Sequence, residues 1–135
     1  MPRALGPRNT AMPPGKMIHV VDDDVGFLKG LERLFRAHGL RVVTFSSVED
    51  FQARARPDEA SCLILDVHVG ASSGIDLMMS LLRSGICAPV VLITAHDNER
   101  LRRAAKSAGC KAYLQKPFPA AALIDAVPSV AGPLL

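Results

Sequence analysis

Five polar residues follow four short apolar runs, at the positions where parallel strands would end. They are Asp22, Asp23, Asp66, Thr94 and Lys116. In an open α/β sheet the ligand crevice lies beyond the carboxyl ends of the strands, at the point where the strand order reverses. If the apolar runs are neighbouring strands, these five residues meet in that crevice although they are far apart in the chain.

Three carboxylates in one crevice require a cation, because each close pair would repel by about 4 kcal/mol at an effective dielectric constant of 20. Mg²⁺ prefers oxygen ligands, and a lysine adds a further positive charge. One carboxylate could then attack phosphorus as a nucleophile, while the metal and the amine neutralise the transferred oxygens. The residue types therefore predict a magnesium-assisted phosphoryl acceptor site.

Short strand-like runs alternate with longer helix-like stretches from Met17 onward, and this alternation predicts five βα units. The strands are expected near 17–21, 40–45, 61–66, 89–94 and 111–115. The helices are expected near 25–38, 47–55, 74–84, 98–108 and 119–127. Right-handed crossovers then give an α/β fold, a doubly wound sandwich around a parallel sheet.

Several local signals support these elements. Asp24 is expected to cap the first helix, and Ser46 with Glu49 fits a capping box for the second. Pro128 limits the fifth helix to about nine residues. Glycines are expected to end three helices, at Gly39, Gly85 and Gly109.

Other side chains are given structural interpretations. A methionine and leucine group is predicted to pack in the core: Met78, Met79, Leu81 and Leu82. Three thiols are predicted to be buried and inert, since their spacing fits no compact zinc site: Cys62, Cys87 and Cys110. A basic set on the fourth helix is either a solvated face or a docking surface: Arg100, Arg102, Arg103 and Lys106.

The five strand-end residues give the chain a resemblance to the response regulator receiver domain of two-component signalling, over residues 17–127. The chain resembles a stand-alone, chemotaxis-regulator-like member. Asp22 and Asp23 match the family's acidic pair, Asp66 its phosphoacceptor, Thr94 its switch hydroxyl, and Lys116 its Lys-Pro motif. The resemblance implies a flavodoxin-like, three-layer (βα)5 sandwich with strand order 2-1-3-4-5.

The resemblance also implies roles for the metal ligands. Asp23, Asp66 and the backbone carbonyl of His68 would hold Mg²⁺, with Asp22 acting mainly through water. The protein would not be an enzyme acting on a separate substrate, but a phosphoacceptor that catalyses its own phosphorylation and dephosphorylation.

A second set of implied roles concerns the phosphoryl group and the switch. Thr94 and Lys116 would bind the phosphoryl group, and Tyr113 would follow by moving inward. The Lys116-Pro117 peptide bond would be cis, which costs an X-Pro bond only about 0.5 to 1 kcal/mol.

The chain departs from the family pattern around the acceptor. Gly70 stands where the family usually has a proline, so this loop is expected to be looser. His68 and His96 occupy the second position after Asp66 and Thr94 and are predicted to rim the site. Either they influence the water that hydrolyses the acyl phosphate, in a pH-dependent way, or they are solvated loop histidines without kinetic effect.

Composition narrows the function classes. Residues 17–135 carry equal numbers of basic and acidic residues, which argues against a broad nucleic-acid footprint. The apolar stretches are far shorter than the roughly 20 residues that cross a bilayer, so no membrane association is expected and a cytoplasmic location is predicted. The proline-rich residues 1–16 are expected to be a disordered arm, and residues 128–135 a tail.

The predicted function is a single-domain response regulator without a DNA-binding domain. A sensor histidine kinase or a histidine phosphotransfer protein would phosphorylate Asp66, and the protein-binding surface would change for an unknown downstream protein. A degenerate, phosphorylation-independent interaction module stays open as an alternative. An aspartyl-phosphate phosphohydrolase of the haloacid dehalogenase type is less favoured, because it needs a second aspartate where His68 stands.

Overall fold

Five parallel strands form the central sheet in the computed structural model, which describes residues 16–127. They are β1 (Met17–Val21), β2 (Val42–Phe45), β3 (Ala60–Asp66), β4 (Val90–Thr94) and β5 (Ala112–Gln115). The spatial order is β2-β1-β3-β4-β5, with every neighbouring pair parallel. The predicted order 2-1-3-4-5 is confirmed.

Four helices connect the strands and a fifth follows β5: α1 (Val25–Ala37), α2 (Val48–Arg54), α3 (Gly74–Arg83), α4 (Glu99–Ala108) and α5 (Ala120–Ala126). A 3-10 turn at Pro57–Glu59 precedes β3, and an antiparallel hairpin pairs His68–Val69 with Ser72–Ser73 after it. Every predicted element occurs, with ends within two residues of those expected. None of the helices between residues 16 and 127 is long and apolar enough to cross a membrane.

The sheet has an apolar core on each face, which makes the fold a three-layer sandwich. On one face Phe35 of α1 and Leu123 of α5 pack with Ile64 of β3. On the other face Phe51 of α2 and Leu77 of α3 pack with the remaining positions of the same strands. Residues of β3 and β4 are buried on both faces, because successive side chains of a strand point to opposite sides.

Hydrogen bonds at the helix starts confirm one predicted cap and correct another. The Asp24 carboxylate accepts from the Phe27 N–H at 3.1 Å, as expected for the cap of α1. The capping box predicted at Ser46 and Glu49 is wrong, since Ser47 accepts from the N–H of its third neighbour at 2.9 Å. Two residues turn the chain after β2, so α2 begins one position later than expected.

The glycine predictions are confirmed. Gly39, Gly85 and Gly109 all have a positive φ. Gly109 is also the left-handed C-cap of α4. The fifth helix is shorter than expected, at seven residues rather than about nine.

Two packing predictions are wrong in part. Met78 is buried, but Met79 and Leu82 are 38% and 43% exposed, because only one side of α3 contacts the sheet. Cys62 is buried, whereas Cys110 is half-buried and Cys87 is exposed in the segment before β4. The predictions for residues 1–15 and 128–135 lie outside the described residues.

Candidate functional site

Strands β1 and β3 place three carboxylates at one edge of the sheet. Each of Asp22, Asp23 and Asp66 offers an oxygen atom, and these oxygens lie within 4.8 Å of one another. Asp22 is completely buried and Asp66 is 6% exposed, whereas Asp23 faces solvent. The structure therefore brings together the three acids that the strand-end pattern singled out.

Lys116 joins these acids from the residue after β5. Its ammonium Nζ lies 2.6 Å from Asp22 Oδ2 and 3.4 Å from Asp66 Oδ2. Its backbone N–H donates to the Thr94 carbonyl at 2.8 Å, which continues the pairing of β4 with β5 beyond Gln115. The Lys116-Pro117 bond is cis, as the resemblance implied.

Backbone N–H groups hold each of the three carboxylates. Asp22 Oδ1 accepts from Asp24 at 2.8 Å, and Asp66 Oδ1 accepts from His68 at 3.0 Å. Asp23 Oδ2 accepts from Gly70 at 2.8 Å. One oxygen of each acid is thus fixed by the backbone, which orients the other.

The bond from Gly70 changes the interpretation of the loop that was expected to be looser. Gly70 forms the turn of the hairpin with a φ of +60°, a conformation that suits glycine. Proline has no backbone N–H and could not donate to Asp23. In this chain glycine therefore allows a direct hydrogen bond between the hairpin and Asp23, which a proline at this position could not form.

The site carries more negative charge than one lysine offsets. Burial is the main cause that raises the pKa of Asp22 to about 6, and the charge of Asp66 adds to it, although bonds from Lys116 and Asp24 oppose both. Burial lowers the pKa of Lys116, but the hydrogen bond and charge of Asp22, together with Asp66, outweigh it and the pKa is raised. Lys116 therefore stays cationic, while the buried carboxylates still favour a second positive charge.

The donor set fits a hard divalent cation. Three carboxylates supply oxygen atoms, which Mg²⁺ and Ca²⁺ prefer over nitrogen or sulfur ligands. The excess negative charge would be offset by such an ion. The backbone carbonyl of His68 follows Asp66 closely in the chain, and its role as a ligand stays a prediction.

Thr94 and Tyr113 lie on the neighbouring strands β4 and β5. Thr94 is completely buried at the end of β4, and its hydroxyl oxygen accepts from the His96 N–H at 3.1 Å. The Tyr113 hydroxyl donates to Asp97 Oδ1 at 2.9 Å, and Arg102 binds the other oxygen of Asp97. Burial and this bond to Asp97 raise the pKa of Tyr113 to about 12.

The sequence reasoning missed Asp97. Its position three residues after Thr94, beside the α4 cap Asn98, was the available signal. Its contact with Tyr113 depends on two segments that only the folded sheet brings together.

His68 and His96 are both exposed. They line an open hollow of about 460 Å³ together with Asn98, Arg100 and Leu101. Their position on the rim of the acceptor site and their influence on hydrolysis both stay predictions.

Two further residues at the site carried no functional signal in the sequence. A Cβ atom on Gly74 would lie 2.0 Å from the backbone oxygen of Asp66, so only glycine fits there. The ring of Phe27 lies under the Lys116 ammonium, 4.1 Å from Nζ to the ring centroid. In the sequence, Phe27 shares an apolar stripe of the first helix with Leu31 and Leu34, and this spacing indicates packing alone.

Comparison with known families is consistent with this geometry. A family model of the response regulator receiver domain matches residues 18–128. The chain belongs to this family.

Curated relatives match this receiver domain over most of its length. It is 38% identical over 111 residues to nodulation protein W of Bradyrhizobium diazoefficiens. This match covers 82% of this chain and 49% of that protein. It is 33% identical over 116 residues to the transcriptional regulatory protein FixJ of Azorhizobium caulinodans, covering 86% and 55% respectively. The chain spans about half the length of the curated relatives it matches.

Solved receiver structures share the fold. A response regulator receiver protein from Burkholderia phymatum is 38% identical with a TM-score of 0.73, covering 87% of this chain and 95% of that one. The BeF3-activated receiver domain of DrrB, a Thermotoga maritima protein, is 28% identical with a TM-score of 0.73, covering 82% and 91%.

Proposed function

We propose that this receiver domain accepts a phosphoryl group on Asp66 from a sensor histidine kinase or a histidine phosphotransfer protein. The observation that carries the proposal is the meeting of Asp66 with two further carboxylates and with the Lys116 ammonium, 3.4 Å from Asp66 Oδ2. Such a cluster combines a nucleophile with the positive charge that phosphoryl transfer needs.

In the proposed reaction an oxygen of Asp66 attacks the phosphorus of a phosphohistidine. The new P–O bond forms as the P–N bond breaks, and the electron pair leaves with the imidazole nitrogen, which takes a proton from solvent. Lys116 neutralises negative charge on the transferred oxygens. His68 fixes the acceptor carboxylate through its N–H, so the attacking oxygen is already oriented.

Asp22, Asp23 and Asp66 are the residues that would hold Mg²⁺. When bound, this ion would neutralise charge on the phosphoryl oxygens and reduce the repulsion among the three acids. A bound cation would also favour the charged form of the Asp22 carboxylate, which burial disfavours.

The proposed readout of phosphorylation is a change in the protein-binding surface. Thr94 lies at the end of the strand beside Asp66 and would bond the new phosphoryl group. Moving the Thr94 hydroxyl shifts the loop that carries Asp97, and Asp97 holds the Tyr113 hydroxyl. Tyr113 would therefore respond to the phosphoryl group, and a downstream protein of unknown identity would bind the altered face.

Mass spectrometry of the intact protein tests the proposal. After incubation with acetyl phosphate and Mg²⁺, the wild type should gain the mass of one phosphoryl group, and Asp66→Asn should not. Asp58→Asn is the matched control, since Asp58 is an exposed aspartate that precedes the opposite end of β3. Chelation of Mg²⁺ should abolish the gain in mass.

Two further measurements, tyrosine emission and phosphate-ester turnover, separate the alternatives. If the protein never gained the phosphoryl mass and its tyrosine emission did not change on addition of beryllofluoride, it would be an interaction module independent of phosphorylation. Steady turnover of free phosphate esters would instead indicate a phosphohydrolase. Action without an output domain and a cytoplasmic location stay predictions.

A further inference from the structure

Lys116 contacts an aromatic ring as well as carboxylates. Its ammonium lies 2.6 Å from Asp22 and 3.4 Å from Asp66, and on another side it lies 4.1 Å from the centroid of the Phe27 ring. A cation this close to a ring face is attracted by the negative face of the π system. The ammonium is therefore enclosed by two charges and one ring.

Neighbouring groups fix the orientation of this ring. Phe27 meets Phe118 edge to face, with centroids 6.1 Å apart and planes at 89°. Both side chains also pack against the apolar core between the sheet and α1. Phe118 follows Lys116 and Pro117 directly, so the segment that carries the lysine also supports the ring beneath it.

The backbone of Phe27 is tied to the acids themselves. Asp22 Oδ1 accepts from the Asp24 N–H, and the Asp24 carboxylate accepts from the Phe27 N–H. The Phe27 ring then contacts Lys116, which donates to Asp22 Oδ2. The contacts form a closed circuit, so a displacement of the ring would be transmitted to the lysine and the buried aspartate.

We propose that Phe27 is a positioning residue for phosphoryl transfer, whose ring holds the Lys116 ammonium against the carboxylates and shields it from water. This inference rests on the proposed function of Asp66. A lysine side chain is a flexible four-carbon stem with a strongly hydrated charge, so an unsupported ammonium would sample other positions. The ring restricts it to the place where the transferred oxygens need positive charge.

Packing alone is the competing explanation, and substitutions on α1 separate the two. Phe27→Leu keeps an apolar side chain and removes the π face, whereas Phe27→Tyr keeps the ring. Phe35→Leu is the matched control, because Phe35 is a buried phenylalanine of the same helix that packs in the same core cluster. It has no contact with Lys116 among those described.

The first measurement is the rate of phosphoryl uptake from acetyl phosphate with Mg²⁺. Phe27→Leu should slow uptake about 3- to 30-fold, the range that the strength of a cation–π contact corresponds to. Phe27→Tyr should restore a rate near that of the wild type, and Phe35→Leu should lower stability without this loss of rate. Equal rates for Phe27→Leu and Phe35→Leu would overturn the inference.

The second measurement does not involve phosphorylation. In an NMR spectrum of protein labelled at the lysine ε-CH2 groups, the Lys116 signal of the wild type should be displaced upfield by the ring current of Phe27. Phe27→Leu should remove this displacement. A wild-type Lys116 signal without it would refute the inference even if Phe27→Leu failed to fold. If the wild type took up no phosphoryl group but showed the displacement, the proposed function would fail while the contact stood.

Discussion

Replacing Gly74 by alanine tests whether the start of α3 sets the position of Asp66, the proposed phosphoacceptor. Gly74 is the first residue of α3, and its N–H donates to the Val67 carbonyl at 2.9 Å. An added Cβ would lie 2.0 Å from the backbone oxygen of Asp66 and 2.9 Å from its carbonyl carbon. Both atoms belong to the main chain, so no side-chain rotation can relieve the contact.

The size of the effect follows from these distances. Cβ atoms essentially never approach other atoms closer than 3.0 Å, so α3 and Asp66 must separate by about 1.0 Å. Overpacking of this kind costs about 1–3 kcal/mol of the free energy of unfolding. A displacement of about 1 Å at a reacting group can cost on the order of 100-fold in rate. We therefore expect Gly74→Ala to lose both stability and phosphoryl uptake.

The control is the same substitution in α1. Gly30 is exposed in the helix interior, and an added Cβ there meets no atom within 4 Å. Gly30→Ala should raise the free energy of unfolding by about 0.5–1 kcal/mol, because alanine favours the helix. Urea denaturation and the rate of uptake from acetyl phosphate measure both effects. If Gly74→Ala were as stable and as reactive as Gly30→Ala, the close approach to Asp66 would not constrain the site.

Three further predictions concern other parts of the fold. Burial lowers the pKa of His19, so on acidification the unfolded chain takes up a proton at this residue at a higher pH than the folded protein does. The free energy of unfolding should therefore fall below about pH 6.5, and urea denaturation should show a larger loss for the wild type than for His19→Leu. Asp97→Asn should lower the pKa of Tyr113 from about 12, because the carboxylate that opposes its ionisation is gone; an ultraviolet titration of this single tyrosine would show no change if the contact were absent. Ser47→Ala should cost about 1 kcal/mol through loss of the α2 cap, while Ser46→Ala should stay within about 0.5 kcal/mol, and equal losses in thermal unfolding would contradict the cap assignment.

The sheet and the meeting of the acids could be predicted because they follow from local patterns. Runs such as Cys62 to Leu65 are apolar at every position, which is typical of central parallel strands. Once the order of such strands is known, residues at their carboxyl ends must share one edge of the sheet. The pattern therefore placed Asp22, Asp66 and Lys116 together.

Other features depend on distances that local patterns do not contain. Phe27 fits an apolar stripe equally well with or without a lysine beneath its ring. Gly74 fits a helix start, but its approach to Asp66 depends on how α3 leaves the sheet. Met79 was misplaced because neighbouring apolar residues on α3 do not reveal which side contacts the strands.

The bond between Lys116 and Asp22 joins groups 94 residues apart in the chain. During synthesis the three aspartates leave the ribosome well before the lysine does. Under the proposed function, a nascent or truncated copy without β5 has the acceptor Asp66 but lacks the Lys116 ammonium, and it cannot be phosphorylated efficiently. A sensor kinase would thus deliver its signal only to molecules whose last strand has docked.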